Sequence, residues 1–202
     1  MAEQAADLGR RAVTVAGDLN DPNCWSSIVD EAVAGLGRLD ILVNNASIFL
    51  TDKPDTLEAF DLQLWETMLR INLIAPIGLC HYAAPHLRAH GMGKIINLLD
   101  VSSERPWPGH LAYCVSKAGL AAMTKGLALS LAPEIRVCGV APGIAVFPEQ
   151  YSTELREKLT GYVPLDRAGT PEEVARLVRF LVESGNYITG ETIRIDGGRN
   201  LV

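Results

Sequence analysis

The order of segments in this chain predicts an α/β fold, a doubly wound parallel sheet with helices on both faces. Three observations carry that expectation. Short β-branched and apolar runs alternate with helical stretches along the whole chain. Two of the runs, "LDILVNNA" (Leu39–Ala46) and "KIINLLD" (Lys94–Asp100), are almost continuously apolar, as strands covered on both faces are. The connections run from a few to about a dozen residues, which suits crossovers within one domain.

Each element has its own local reason. "RAVTVAGDL" (Arg11–Leu19) has the β-branched run of a short strand, closed by Gly17 and Asp18. Asp21–Gly37 reads as a helix, with Asp21 as N-cap, Pro22 in the first turn and Gly37 as its stop. Leu39–Ala46 follows as a central strand. From Leu57 to Arg88 the pattern is mostly helical, and Pro76 is expected to bend or interrupt it. Lys94–Asp100 is a buried strand, His110–Ala132 a long helix rich in small residues, and Ile135–Gly143 a strand ending in a Pro-Gly turn. Thr170–Ser184 brings its own N-cap, a proline at the first helical position and an acidic first turn. Tyr187–Gly198 supplies the last strand and its exit turn. No repeat, low-complexity stretch or linker divides the 202 residues, so 1–202 is expected to be a single domain.

Composition narrows the function classes. With 48% hydrophobic residues the chain can bury a sizeable core, and a net charge of -6 argues against nucleic acid or an anionic membrane as partner. The opening "MAEQAADLGRR" lacks the apolar core of a secretory signal, and no apolar run approaches the ~18 residues of a membrane span. Cys24, Cys80, Cys114 and Cys138 are scattered with no CxxC pair and read as free thiols, so a cytoplasmic location is expected. His81, His86 and His90 include an i,i+4 pair, but no acidic residue completes a ligand set, and no metal is expected.

The chemistry concentrates in "NLLDVSSERPWPGHLAYCVSK" (Asn97–Lys117). Tyr113 and Lys117 lie four apart in a helix and share one face. An ammonium beside a phenol favours the phenolate and is expected to lower the tyrosine pKa from about 10, which suits a general acid or base near neutral pH. Y-x-x-x-K by itself occurs by chance in many proteins. Its surroundings here are more specific: Asn44-Asn45-Ala46 after a strand, Asn72 in the next helix, Pro142-Gly143, and the closing "YITGETIRIDGG".

In that ordered set the chain resembles the short-chain dehydrogenase/reductase family, over essentially its whole length. The resemblance implies a Rossmann-type sheet and a hydride-transfer enzyme with a nicotinamide cofactor. It implies that Tyr113 donates the proton, that Lys117 binds the nicotinamide ribose and lowers the tyrosine pKa, and that Asn72 holds a water linking Lys117 to solvent. Asp18 and Leu19 would flank the adenine. Asn44 and Ala46 would line the cofactor channel, and Pro142, Gly143 and Ile144 would border the nicotinamide. Phe147 stands where the family often has threonine, which leaves one cofactor contact open. Asn72 can also be read as a helix-interior polar residue bonding locally.

Asp100 departs from the family pattern. The usual catalytic serine lies thirteen residues before the tyrosine, where this chain has aspartate. Moving Ser102 or Ser103 into that place would shift the strand register, which a buried pattern resists. An ionised carboxylate would repel the charge that builds on a ketone oxygen. It suits a ring C=N better, because a carboxyl group can relay protons and accept bonds from ring and amino N–H groups. Together with Ser47, in place of the usual glycine, and Phe49 two residues on, Asp100 resembles the pteridine reductase and dihydromonapterin reductase branch. In that branch the matching aromatic stacks on the pterin, and the serine lines the same pocket. Phe49 can instead be a loop residue covering the sheet edge, and Trp107 and Pro108 either wall the pocket or pack in the core.

No Gly-rich phosphate-binding turn precedes "RAVTVAGDL". Set against the family, the sheet is expected to be N-terminally truncated, with the first two strands absent between the Arg11–Leu19 and Leu39–Ala46 strands. A fragment, a direct docking of those two strands, and a shortened binding relative each fit that pattern. The leading expectation is NADPH-dependent reduction of a small-molecule pterin, with NADH not excluded. A carbonyl reductase of 3-oxoacyl thioesters or sugars, and a non-catalytic oligomerising scaffold, are the alternatives. The family resemblance implies a homotetramer, with helix-on-helix contacts through the helix after Tyr113 and the "REKLTGYVPL" region.

Overall fold

The computed structural model of the chain describes residues 2–50 and 55–202. Four parallel strands form one sheet in the order β1 (Ile41–Asn44), β2 (Gly93–Leu98), β3 (Ile135–Pro142) and β4 (Thr192–Ile195). The helices are α1 (Ala2–Asp7), α2 (Trp25–Leu36), α3 (Leu62–Leu69), α4 (Ala75–Arg88), α5 (Leu111–Leu131), α6 (Thr153–Thr160) and α7 (Pro171–Glu183).

Period-two alternation sorts the strand residues onto two faces. Ile95, Ile135 and Val137 pack with Val29, Cys80, Ala83 and Leu87, which come from α2 and α4. Ile96, Leu98, Cys138 and Val140 pack with Leu181, Val174 and Val178 of α7 on the other face. Helices therefore cover both faces of a parallel sheet, as the alternating segments require. A buried polar ladder ties the layers: Asn44 Nδ2 donates to Asn97 Oδ1 at 2.8 Å, and Asn97 Nδ2 donates to Thr124 Oγ1 of α5 at 2.9 Å.

Local signals explain the helix ends. Asp21 caps a 3-10 turn, Pro22–Cys24, that runs into α2, and Gly37 closes α2 at φ 88°. Thr170 and Glu173 form a reciprocal capping box at α7. Within Leu57–Arg88 the helix is interrupted by a π-helical turn, Arg70–Ile74, between α3 and α4. Pro76 gives the reason, since it has no N–H to donate to the carbonyl of residue 72 one turn back. The helix α6, capped by Ser152, was not expected from the sequence; it is short and mostly polar.

Two strand expectations are corrected. Arg11–Leu19 forms no strand and no bridge. It lies beside α2 instead, with Val13 against Gly35 and the Arg11 guanidinium donating to the Leu36 carbonyl. A strand exists only by pairing, and this segment has no partner among the described residues. Its direct docking beside Leu39–Ala46 is likewise not seen. Leu39–Ala46 contributes a strand only over Ile41–Asn44, and it is not buried on both faces: Ile41 and Val43 are 38% and 41% exposed. Leu42 packs into the core beside α2 and α4, while the opposite side of β1 has no helix over it among the described residues.

Candidate active site

The chain leaves β2 at Leu98 and reaches Asp100 in an extended conformation. Asp100 then caps the 3-10 turn Val101–Ser103, where its Oδ1 accepts the Ser102 N–H at 2.7 Å. From the far side, α5 brings Tyr113 and Lys117 to the same place, one turn apart on one face. Tyr113 Oη donates to Asp100 Oδ2 at 3.4 Å, and Lys117 Nζ donates to the Leu98 carbonyl at 3.0 Å. The ammonium lies 5.7 Å from the Tyr113 ring centroid. All three side chains are largely withdrawn from water.

Burial dominates their protonation. It pushes the Asp100 carboxyl up, against its bonds with Ser102 and the attraction of Lys117. It pulls the Lys117 ammonium down to about 8, against the attraction of Asp100. The Tyr113 phenol moves up, by burial first and then by the charge of Asp100. The sequence expectation that Lys117 lowers the tyrosine pKa is therefore corrected for this structure. Burial and a carboxylate at hydrogen-bond distance outweigh an ammonium that sits over the ring rather than beside the oxygen.

Asn72 lies in the π turn between α3 and α4. Its Oδ1 accepts the Ile48 N–H at 2.8 Å and the Ser47 hydroxyl at 3.1 Å. Its Nδ2 lies 3.0 Å from the Ile48 carbonyl and 3.2 Å from Ser116 Oγ. Ser116 in turn donates to the Tyr113 carbonyl at 2.7 Å. The amide is thus committed to the loop after β1 and to α5, and makes no bond to Lys117. The π turn explains the placement, because widening the helix swings Asn72 out of the ordinary helical stack.

That loop carries Phe49 onto the tyrosine. The Phe49 centroid is 4.8 Å from Tyr113 and 4.9 Å from His110, and Trp107 stacks at 6.2 Å from Tyr113. Phe49, Trp107, His110, Ile144 and Arg199 line a cavity of about 340 Å³. A second cleft, of about 640 Å³, is bounded by Asn45, Ser47, Tyr113, Lys117 and Pro142 and by residues of α7. A third, of about 230 Å³, is lined by Leu19, Asn44 and Ala46 and shares Val43 and Asn45 with the second.

Of the sequence-predicted residues, Leu19, Asn44, Ala46, Ser47, Phe49, Tyr113, Lys117, Pro142 and Ile144 line these spaces, Asp100 and Asn72 are bonded to Tyr113 and Ser47 behind them, and Asp18 and Gly143 stand apart. Asp18 lines none of these spaces; its carboxylate accepts the Asn20 N–H at 2.9 Å in a surface turn. Gly143 serves a close approach, since a Cβ there would lie 2.9 Å from the Asp196 Cα. Sequence reasoning missed Asp55, His110 and Arg199. Asp55 Oδ2 accepts the Ala112 N–H and its Oδ1 accepts the Trp65 indole N–H at 3.1 Å, which anchors the start of α5. Arg199 is turned back over Trp107 by Gly197 and Gly198, at φ 62° and 87°. The paired glycines were the only sequence signal for it.

A family profile described as "Enoyl-(Acyl carrier protein) reductase" matches residues 1–200. The chain belongs to the short-chain dehydrogenase/reductase family. It is an oxidoreductase. The 3-oxoacyl-acyl-carrier-protein reductase FabG of Thermotoga maritima is 35% identical, over 90% of this chain and 74% of that protein. The 3beta-hydroxysteroid dehydrogenase 1 of Eggerthella lenta is 34% identical, over 96% of this chain and 76% of the relative. Among solved structures, FolM alternative dihydrofolate reductase 1 from Brucella canis, complexed with NADP, superposes with a TM-score of 0.90. It is 33% identical and covers all of this chain and 78% of its own. The corresponding protein from Brucella suis gives 0.87 at 32% identity. Among the described residues, no helix is long and apolar enough to cross a membrane, and no cluster of His, Cys, Asp or Glu could hold a metal ion.

Proposed function

We propose that this short-chain reductase uses NADPH to reduce a ring C=N of a pterin. The observation that carries the reading is the Tyr113 Oη to Asp100 Oδ2 bond, buried beneath the aromatic walls of Phe49 and Trp107. Likeness to a structure titled a dihydrofolate reductase supports it.

The residues present fit a nicotinamide dinucleotide. Lys117 uses one of three N–H donors on Leu98, leaving two for ribose hydroxyls. Asn44 Oδ1 is buried with no partner, beside the space that Leu19 and Ala46 also line. When bound, the dinucleotide supplies the hydride. Everything else falls to the chain. Burial keeps the proton on Tyr113 Oη, and the carboxyl of Asp100 accepts from it, so a proton is held next to the place where a ring nitrogen gains one. Asp100 also offers an acceptor to ring or amino N–H groups, and Phe49 offers a face to a flat bicycle. A ketone is served less well, because a carboxylate at this position opposes the developing oxyanion.

The second reading, reduction of a 3-oxoacyl thioester, is favoured by the 35% identity to FabG. Asp100→Ser separates the two. Dihydropterin reduction is expected to fall at least about 100-fold, the scale of a lost proton-transfer group. Undiminished pterin turnover with improved 3-oxoacyl turnover in that variant would establish the second reading instead. Parallel assays with NADH and NADPH fix the cofactor preference. For assembly we propose a homotetramer, supported by exposed apolar side chains on α4 and α5, among them Ile77, Val115 and Leu129, whose exposures run from 40% to 84%.

A further inference from the structure

Beyond the ring-binding walls lies a second, strongly basic space. Arg105, Trp107, Tyr162, Arg199 and Asn200 line a cavity of about 470 Å³. Trp107, Tyr162 and Arg199 also line the cavity that Phe49 and His110 close, so the two spaces adjoin. Trp107 is the partition. It stacks on Tyr113, and the Arg199 guanidinium sits 5.8 Å from its ring centroid.

Neither arginine has an acid partner. Arg199 donates only to the Leu159 carbonyl, at 3.2 Å, and Arg105 makes no side-chain bond or ion pair among the described residues. Asp100 and Asp196 lie near enough for their charges to act on Arg199, but their oxygens are committed elsewhere, those of Asp100 to the Ser102 N–H and the Tyr113 hydroxyl. The Asp196 oxygens accept the Gly198 and Asn200 N–H groups at 3.0 and 2.8 Å. Glu104 is paired with Arg194 and also accepts from Asn200. Asn200 Oδ1 is buried without a partner. A half-buried guanidinium that lines a cavity and bonds to no carboxylate has N–H donors left for an entering anion, and its planar fork suits a carboxylate.

We infer that Arg199, assisted by Arg105, binds a carboxylate at the far end of the substrate, so that the preferred substrate is a pterin bearing an acidic side chain. The inference rests on the pterin reading above and extends it. The ring would lie against Phe49 and Tyr113, and the side chain would pass Trp107 to reach Arg199. The pocket then acts in ground-state binding rather than in proton transfer, and its effect appears in KM rather than kcat.

The test uses the whole chain with three probes: dihydrofolate, which has the acidic tail; dihydrobiopterin, which has none; and p-aminobenzoylglutamate, the tail without the ring. The ratio of kcat/KM for dihydrofolate over dihydrobiopterin is expected to fall about tenfold or more in Arg199→Gln, chiefly through KM, and less in Arg105→Gln. Calorimetric binding of p-aminobenzoylglutamate should weaken in parallel and decline with added salt. Arg105 is exposed and makes no side-chain hydrogen bond or ion pair among the described residues, so its variant serves if Arg199→Gln does not fold. An unchanged substrate ratio and unchanged tail binding in both variants would overturn the inference. Pterin turnover without tail binding would remove the acid pocket and leave the pterin reading intact. Arginine-dependent tail binding without turnover of either pterin would keep the pocket and remove the pterin reading.

Discussion

Asn72 grips Ile48 at both ends of its backbone, accepting its N–H at 2.8 Å and donating to its carbonyl at 3.0 Å. The same amide reaches Ser116, which is bonded to the Tyr113 carbonyl, so one side chain sets the loop that carries Phe49 relative to the helix that carries Tyr113. The pair makes sense of a π turn at this point in the chain. A regular helix would keep Asn72 in its own hydrogen-bond ladder, and the ladder is broken where Pro76 cannot donate.

Asn72→Ala removes both bonds and leaves the two Ile48 groups unpaired, which is expected to destabilise the chain by about 2–4 kcal/mol. Amide exchange at Ile48 and Phe49 should accelerate, and KM for substrate should rise. If Asn72 works by holding the loop, the pH profile of kcat keeps its shape in this variant. A shifted profile would point to a proton relay instead.

Asp55 acts at greater distance in sequence. Its carboxylate joins the Ala112 N–H, at the open N-terminus of α5, to the Trp65 indole of α3. Asp55→Ala is expected to cost about 1–2 kcal/mol, the size of a lost N-terminal cap. Because Tyr113 is the next residue, kcat should fall with it, and Asp55→Asn should recover much of both. Equal loss in the Asn and Ala variants would show that charge rather than bonding is what α5 needs.

These residues mark what the sequence could reveal. Asp100 and Tyr113 are joined by one strand end and one helix start, and their meeting was legible through the family resemblance, which sets the position thirteen residues before the tyrosine beside it. Strands β2 and β3 were legible because each carries a buried apolar run, and β4 because Ile193 and Ile195 alternate with polar residues; each has a partner on at least one side. Arg11–Leu19 has the same composition but no partner, and composition does not supply one. The bond between Asp55 and Ala112 spans 57 residues, and Arg199 reaches Trp107 from the last turn of the chain. Contacts of that range depend on how layers settle, which no local pattern records. The tyrosine pKa was misjudged for a similar reason: spacing placed the ammonium near the ring, but only coordinates show that burial and Asp100 act more strongly on the oxygen.

Close helix contact gives a packing test. A Cβ on Gly78 of α4 would fall inside the van der Waals envelope of the Trp25 ring, which is buried and fixed by its indole bond to the Leu19 carbonyl at 3.1 Å. Gly78→Ala should force α2 away from α4 and lower stability by about 1–3 kcal/mol. Leu19 moves with Trp25, so the cleft it shares with Asn44 and Ala46 should open, and nucleotide affinity should drop. Gly126→Ala in α5, where a Cβ meets nothing within 4 Å, is the control and should stabilise by up to about 1 kcal/mol. Equal melting temperatures for the two variants would argue against the close packing of α2 on α4.

Lys117 offers the clearest pH dependence. In the folded chain its pKa is about 8, against an ordinary 10.5, because burial penalises the ammonium more than Asp100 favours it. Below about pH 8 the lysine is protonated in both folded and unfolded chains, and the penalty is felt in full. Between about 8 and 10.5 the folded chain has released the proton while the unfolded chain keeps it, so this residue makes stability rise with pH. Above that window both forms are neutral and the penalty is gone. Lys117→Met should therefore stabilise the ligand-free chain at pH 7 by about 2–3 kcal/mol, from 1.36 kcal/mol per pKa unit less the lost bond to Leu98. The gain should shrink steadily in urea melts between pH 8 and 10.5, while other titrating groups cancel between wild type and variant. Catalysis moves the opposite way: the variant has no donor for ribose hydroxyls and should lose nucleotide affinity and turnover together. A stabilisation that is the same at pH 7 and pH 10 would mean that the ammonium is not what burial penalises at this position.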